Sequence, residues 1–163
     1  MSGHKLDEID LRILEILQTH GQSSRSEMAE EVKLSIPSVS ERIRKLSDAG
    51  FIRSINAVIE AEKVHLDITA FIVLTSESPK YYPKIIERTA AFDEILECHA
   101  ITGEGSHILK IRTHNTSTFE KLLAEIQSWP GVRTTRSNLI LSTHKETTAL
   151  PLQYLLDSEV ITS

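Results

Sequence analysis

The chain of 163 residues is 40% hydrophobic and 25% charged, a composition typical of soluble globular proteins. No apolar run approaches the roughly 20 residues that a membrane-spanning helix needs, and the polar, acidic first ten residues do not resemble a secretory signal. The single cysteine, Cys98, excludes an internal disulfide and a thiolate-cluster metal site. We therefore expect a cytoplasmic protein that has no membrane partner.

The net charge of −5 is distributed unevenly along the chain. Between Lys33 and Arg53, five basic residues accompany two acidic ones, which gives this stretch a charge of +3 and leaves −8 for the remainder. A cation adds affinity for DNA only where it reaches a phosphate. A small basic patch on an acidic body therefore permits nucleic-acid binding through that patch and limits it elsewhere.

The first 50 residues contain the signals of three short helices. Apolar residues at helical spacing predict the first helix over residues 6–17, and Asp7 is suited to cap its N-terminus. A capping box at residues 24–27 opens the second helix. After a three-residue break, Ser35 can cap a third helix, which Gly50 closes. Three helices with a tight turn between the second and third indicate a helix-turn-helix domain.

From residue 51 onward the helical pattern gives way to alternation. Ile55, Ala57 and Ile59 recur at every second position and predict a strand. The later segments predict, in order, a strand (68–75), a helix (82–91), two strands (94–102 and 106–113), a helix (118–128) and a strand (132–142). This βαββαβ order is typical of a ferredoxin-like sandwich. The predicted fold class is α+β, with a helix-turn-helix domain (1–60), a linker (61–67) and a βαββαβ domain (68–163).

The third helix has the two surfaces that a reader of the DNA major groove needs. Val39, Ile43 and Leu46 form an apolar stripe that can face the helix's own domain. Polar side chains lie off the stripe or flank the helix and are the candidate contacts to double-stranded DNA: Ser35, Ser38, Ser40, Glu41, Arg42, Arg44, Lys45 and Arg53. An ordinary amphipathic helix with a solvated charged face fits the same pattern.

The chemistry of these side chains suggests a role for each. Arg42 or Arg44 can grip a guanine with two parallel hydrogen bonds, whereas Lys45 and Arg53 are better suited to phosphates. Ser38 suits either partner. Glu41 fits two roles, as an acceptor from cytosine or as the ion-pair partner of Arg44 or Lys45 on its own helix.

Several segments together resemble the Lrp/AsnC family of feast/famine regulators. They are residues 6–10 (LDEID), 34–46 (LSIPSVSERIRKL), 49–52 (AGFI), 100–104 (AITGE) and 129–132 (WPGV). The resemblance implies a winged helix-turn-helix tethered to a βαββαβ domain. It also implies transcription regulation, assembly into a homodimer and further into an octamer, and an amino acid or other small molecule as effector.

Two positions depart from the pattern of the family. Lys33 stands in the turn of the helix-turn-helix, where the family often has glycine; a lysine can adopt the left-handed conformation there at a cost of about 1 kcal/mol. Ser106 stands where members that sense amino acids commonly have a second acidic residue. A serine hydroxyl cannot hold an ammonium group as a carboxylate does, so we expect weaker or altered amino-acid binding.

The glycine-rich turn near residue 104 is the candidate effector site. Its backbone N–H groups can cradle a carboxylate, and the resemblance adds one position on the final strand. The candidate residues are Thr102, Gly103, Glu104, Gly105, Ser106 and Asn138. A simple hairpin turn that uses glycine for its positive φ explains the same residues equally well.

Two other classes of protein remain open. Some haem-pathway decarboxylases are similar in fold and use histidines for acid–base chemistry, but the basic third helix has no task in such an enzyme. A sensor or assembly module with a vestigial helix-turn-helix is the other. Cys98 and His99 are neighbours on a strand and point to opposite faces, so we expect no metal site. We expect no catalytic residues and no cofactor.

Overall fold

The computed structural model describes residues 5–157. Contacts divide the chain into two compact units, one of Met1–Val58 with Lys145–Ser163 and one of Ile59–His144. The sequence predicts that residues 145–163 belong to the second domain, whereas the contacts group residues 145–157 with the helical unit; residues 158–163 lie outside the described residues. One pair of hydrogen bonds attaches this segment to α1: the side chain of Gln18 donates to the backbone carbonyl of Leu150 at 2.8 Å and accepts from its N–H at 2.9 Å.

The helical unit contains the three predicted helices. They are α1 (Glu8–Thr19), α2 (Arg25–Glu31) and α3 (Ile36–Asp48). The predicted N-caps are confirmed: Asp7 and Ser24 each open a capping box, and the Ser35 hydroxyl accepts the backbone N–H of Ser38. These side chains satisfy N–H groups that the first turn of a helix leaves without a partner.

One apolar core joins the three helices. Its buried members are Ile13, Ile16, Leu17, Met28, Ala29, Val39, Ile43 and Leu46. The predicted stripe of α3 is therefore the side that faces α1 and α2, and the polar side of α3 faces outward. Lys33 in the turn before α3 has a φ of 54°, which confirms that a lysine occupies the left-handed conformation there.

The second unit is the predicted βαββαβ arrangement. Its elements are β1 (Ile68–Ser76), α4 (Tyr82–Thr89), β2 (Ile95–Ala100), β3 (His107–Thr113), α5 (Thr116–Ser128) and β4 (Val132–Leu139). The four strands are antiparallel to their neighbours and follow the order β2-β3-β1-β4. The predicted α+β class and the ferredoxin-like sandwich are confirmed.

The two faces of the sheet have different surroundings. Ala70, Ile72 and Leu74 of β1 are buried in the core that contains Ile85 of α4 and Ile126 of α5. The alternating positions of β1, namely Phe71, Val73 and Thr75, are only half-buried, because they lie on the face that the helices do not cover. This open face carries the cleft described below.

The strand predicted at Ile55–Ala57–Ile59 is not formed. Residues 52–60 have no regular secondary structure, and Val58 is 92% exposed. A strand needs a partner for its backbone hydrogen bonds, and the chain provides none for this segment among its described residues. Within residues 5–157, no helix is long and apolar enough to cross a membrane.

Candidate DNA interface and effector cleft

The start of α3 presents two exposed serines. The Ser35 hydroxyl accepts the backbone N–H of Ser38 at 3.3 Å, and the two hydroxyl oxygens lie 2.8 Å apart. Ser40 is also exposed. The N-terminus of a helix attracts anions through its N–H groups and its dipole. This end of α3 can therefore receive a phosphate or the polar edge of a base.

Arg42 is turned toward α1. Its Nη1 donates to Asp7 Oδ2 at 2.8 Å and to Asp10 Oδ1 at 2.7 Å, and Asp10 is only 1% exposed. Partial burial acts to raise the pKa of Asp7, but the backbone N–H of Asp10 and the Arg42 guanidinium outweigh it and lower the pKa below its usual value. Arg42 thus fastens α3 to the start of α1. The prediction that Arg42 reads a base does not fit this geometry.

Arg44 lies on the exposed face of α3, with 60% of its side chain accessible. Its Nε and Nη2 donate to the two oxygens of Glu41 at 3.0 and 2.7 Å, and its Nη1 donates to Asp48 at 2.8 Å. The Lys45 ammonium lies 3.8 Å from Glu41. The hydrogen bond from Arg44 lowers the pKa of Glu41. Of the two roles that the sequence left open for Glu41, the structure shows the ion pair.

The outer face of α3 is therefore one continuous polar ridge. Ser38, Glu41, Lys45 and Asp48 follow one another at spacings of three and four residues, and Arg44 lies beside them. Arg53 is exposed beyond the end of α3. Of the predicted DNA contacts, Ser38, Glu41, Arg44 and Lys45 thus share this ridge, Ser35 precedes it as the N-cap, and Ser40 is exposed on the other flank of α3. Arg42 faces α1, and Arg53 follows the helix.

In the second unit, Ser106 anchors the glycine-rich loop to β1. Its hydroxyl accepts the backbone N–H of Ser76 at 3.0 Å and donates to the Leu74 carbonyl at 3.2 Å, and it is buried. His107 Nδ1 lies 3.0 Å from the same hydroxyl oxygen. The sequence-based expectation that Ser106 faces a ligand does not fit this placement. A carboxylate at position 106 would point at a carbonyl oxygen inside the fold.

Gly105 allows the loop to lie against the open face of the sheet. Its φ is +97°, and a Cβ built at this position would stand 2.5 Å from Val73 Cγ1 and 3.1 Å from the Leu74 carbonyl oxygen. Any side chain here would push the loop away from β1. The close approach of the loop to β1 therefore requires glycine at position 105 in addition to the turn conformation.

A cleft of about 420 Å³ opens between this loop and β4. It is lined by Val73, Thr75, Glu104, Gly105, Thr134 and Arg136. Arg136 Nη1 donates to Glu104 Oε2 at 2.6 Å, so an ion pair forms part of the lining of the cleft. Among the predicted effector residues, Glu104 and Gly105 line the cleft, whereas Asn138, opposite Phe71 on β1, does not.

Sequence reasoning missed Arg136. Strand alternation places Arg136 and Asn138 on one face of β4, so a cation two residues before Asn138 was the available signal. The register that sets Arg136 opposite Val73 was needed to bring it to the loop.

Comparisons with known proteins cover both units. The sequence profile of the Lrp/AsnC ligand binding domain matches residues 69–150, and that of a winged helix-turn-helix DNA-binding domain matches residues 6–53. The chain belongs to the Lrp/AsnC family. It is a DNA-binding transcription regulator of the Lrp/AsnC type, since both domains of such a regulator are present.

Similar sequences and structures agree with this assignment. The chain is 37% identical to the HTH-type transcriptional regulator FL11 of Pyrococcus horikoshii, covering 91% of this chain and 97% of that protein. It is 30% identical to the leucine-responsive regulatory protein of Escherichia coli, covering 93% and 94%. These Lrp/AsnC relatives are regulators, and the matches give the decarboxylase alternative no support.

Two solved structures share the whole architecture. A transcriptional regulator from Neisseria meningitidis in complex with L-methionine superposes with a TM-score of 0.87 at 32% identity, covering 92% of this chain and 99% of that one. The feast or famine regulatory protein of M. tuberculosis complexed with L-methionine superposes at 0.83 with 30% identity, covering 89% and 98%. The Lrp/AsnC fold therefore extends over both units.

Proposed function

We propose that this Lrp/AsnC regulator reads its operator with the outer face of α3. The observation that carries the proposal is the exposed position of Arg44 on a ridge of polar side chains, above a core that holds the opposite face of the helix. Arg44 is assigned to a base edge, where a guanidinium can make two parallel bonds to guanine. Ser35, Ser38, Ser40, Lys45 and Arg53 are assigned to phosphates or base edges around it.

The roles of Arg44 and Lys45 are separable by experiment. Arg44→Ala should weaken operator binding by about 1–3 kcal/mol and relax the preference for one base pair, whereas Lys45→Ala should weaken binding to all sequences equally. Fluorescence anisotropy with the operator, single-base variants of it and an unrelated duplex measures both effects. An Arg44→Ala protein that binds all duplexes like the wild type would refute the assignment of the reading face.

For the effector, we propose an amino acid bound in the cleft between the glycine-rich loop and β4. Glu104 and Arg136 supply the complementary charges for the ammonium and carboxylate groups of a zwitterion. Val73 provides an apolar wall, and the backbone of Gly105 borders the bound carboxylate, with Gly103 in the same turn. The L-methionine complexes of two relatives support the class of ligand. Thr102, Ser106 and Asn138 act around this site, Ser106 by holding the loop on β1.

Calorimetry against the twenty amino acids tests this effector site. Arg136→Ala and Glu104→Gln should each weaken binding roughly ten- to a hundredfold, because each loses a charge-assisted hydrogen bond. Arg133→Ala is the matched control, since Arg133 is an exposed arginine on the same strand that does not line the cleft. Equal affinities for all three variants would remove the cleft from consideration.

The oligomeric state and the localisation are also part of the proposal. Two half-sites about one helical turn apart on DNA require two copies of α3, so we propose that the regulator forms a symmetric homodimer and, by likeness to the family, an octamer. We assign it no catalytic activity and place it with the DNA in the cytoplasm, associated with the nucleoid.

A further inference from the structure

We propose that Glu41 and Asp48 discriminate against non-operator DNA by holding the guanidinium of Arg44. This inference rests on the proposed role of α3 as the reading helix and adds a function for two acidic residues on its face. The three side chains are exposed, so DNA can reach all of them. DNA must therefore compete with two carboxylates for the N–H groups of Arg44.

The hydrogen-bond geometry shows where DNA competes with the carboxylates. A guanidinium has five N–H donors and can make a parallel pair of bonds along either of two edges, Nε/Nη2 or Nη1/Nη2. The edge formed by Nε and Nη2 is filled by Glu41, at 3.0 and 2.7 Å. Nη1 already donates to Asp48 at 2.8 Å. A guanine that takes the Nε/Nη2 edge must displace Glu41, and one that takes the Nη1/Nη2 edge competes with Asp48 at Nη1.

The charges on the helix support the same conclusion. Glu41 and Asp48 together balance the charges of Arg44 and Lys45, so this part of α3 is neutral. Arg42 is likewise paired with Asp7 and Asp10. The charge of +3 counted along residues 33–53 therefore overstates the positive charge that α3 offers to a phosphate backbone.

The consequence differs between the two kinds of DNA. An operator guanine compensates for the lost carboxylate bonds with a bidentate contact of defined geometry. An unrelated sequence that has no guanine at this position offers Arg44 only a phosphate. Exposed ion pairs are weak and screened by salt, so the barrier is a modest one. We expect it to reduce non-specific affinity several-fold and operator affinity less.

The test compares Glu41→Gln, Asp48→Asn and the double variant in the full-length protein. Affinity for an unrelated duplex should rise about three- to tenfold, affinity for the operator should change less, and the ratio of the two should fall. The slope of log K against log salt for the unrelated duplex should become steeper by about 1, since one more cation replaces a counterion. Glu31→Gln is the matched control because Glu31 is an exposed glutamate paired with Arg12 on other helices of this unit.

Three outcomes would overturn the inference. The first is unchanged affinity for both duplexes in the double variant, and the second is an equal rise in Glu31→Gln, which would indicate net charge alone. The third is a loss of operator affinity in Glu41→Gln, which would mean that Glu41 itself contacts a base. Arg44→Ala, measured in parallel, tests the proposed function separately. If Arg44→Ala lowers operator affinity while one of the three outcomes is observed, the proposed role of α3 stands and only the inference about Glu41 and Asp48 fails.

Discussion

At the scale of single residues, burial separates two arginines that stand two positions apart on one helix. Arg42 faces Asp10, whose side chain is 1% exposed, whereas Arg44 faces Glu41 and Asp48 in solvent. Removing the cation from a pair that includes a buried carboxylate is destabilising, because the carboxylate is left without its counterion. Pairs between exposed side chains contribute little. The same residue type therefore serves the fold at position 42 and is available to DNA at position 44.

We expect Arg42→Ala to lower the free energy of unfolding by about 2–3 kcal/mol, because it removes the cation beside the buried Asp10 and the bond to Asp7. Urea denaturation of the full-length protein measures the change. Arg44→Ala is the control and should stay within about 0.5 kcal/mol of the wild type. Wild-type stability of Arg42→Ala together with lost operator binding would instead make Arg42 a DNA contact.

A second prediction concerns His107, which is buried next to Ser106 at the end of the glycine-rich loop. Burial lowers the pKa of His107 below its usual value, and its ring packs edge-on against Tyr82 with ring centres 4.8 Å apart. The unfolded chain therefore binds a proton at His107 at pH values where the folded protein does not. The free energy of unfolding should fall as the pH drops below about 6.5 and should stop falling, for this group, below the folded pKa.

Comparing His107→Gln with the wild type isolates this effect. The stability difference between the two proteins should be constant above about pH 7 and should shift in favour of the variant between pH 6.5 and 5. Urea denaturation at four pH values is the measurement, and the exposed His144→Gln variant should follow the wild type. Parallel curves for wild type and His107→Gln would show that His107 does not titrate differently on folding.

At the scale of elements, amide side chains hold the segment around Leu150 on α1. The primary amide of Gln18 both donates to and accepts from the backbone of Leu150, as a neighbouring strand would. Gln153 adds a bond of 3.0 Å to Glu15. The segment that follows β4 in the chain is thereby attached to the unit that contains α3. Because this segment follows β4, the chain joins the two units a second time, in addition to the connection through residues 52–60.

We expect Gln18→Ala to release the segment around Leu150. Loss of two hydrogen bonds, each worth about 1 kcal/mol, should raise the hydrogen-exchange rate of peptides that contain Leu150 roughly tenfold or more. Mass spectrometry of exchanged full-length protein measures this, and Gln22→Ala is the matched control, since Gln22 is an exposed glutamine beyond the end of α1. If Gln18→Ala and Gln22→Ala exchange alike, the amide of Gln18 does not hold the segment.

At the scale of the whole molecule, two apolar side chains have very high exposure. Val58 is 92% exposed and Leu141 is 96% exposed. Contiguous exposed apolar surface is typical of association sites, and Leu139, two residues before Leu141, is also exposed at the end of β4. Residues 139–141 are therefore the candidate contact for the proposed homodimer.

We expect the double variant Leu139→Asp, Leu141→Asp to shift the protein to smaller species in light scattering at micromolar concentration. Charges placed on a buried apolar contact are costly, whereas Thr143→Asp adds a charge in the same segment without removing apolar surface. Thr143→Asp should therefore keep the wild-type mass. A double variant that also keeps this mass would show that residues 139–141 lie outside the assembly interface.

The sequence by itself determined the elements whose causes are local. The caps Asp7, Ser24 and Ser35 act within three residues, and the helical stripes and strand alternation repeat within one element, so the three helices and the βαββαβ order were predictable. The left-handed conformation of Lys33 was predicted from the resemblance to the family, which often has glycine at this position.

Only the tertiary structure decided which side chains meet across elements. Arg42 meets Asp10 over 32 positions, Arg136 meets Glu104 over 32, and Gln18 meets Leu150 over 132. No periodicity reports such a pairing, because it depends on the register and packing of separate elements. Residues 55–59 were wrongly predicted as a strand for a related reason. Their alternation fits a strand, but a strand forms only where another chain segment pairs with its backbone.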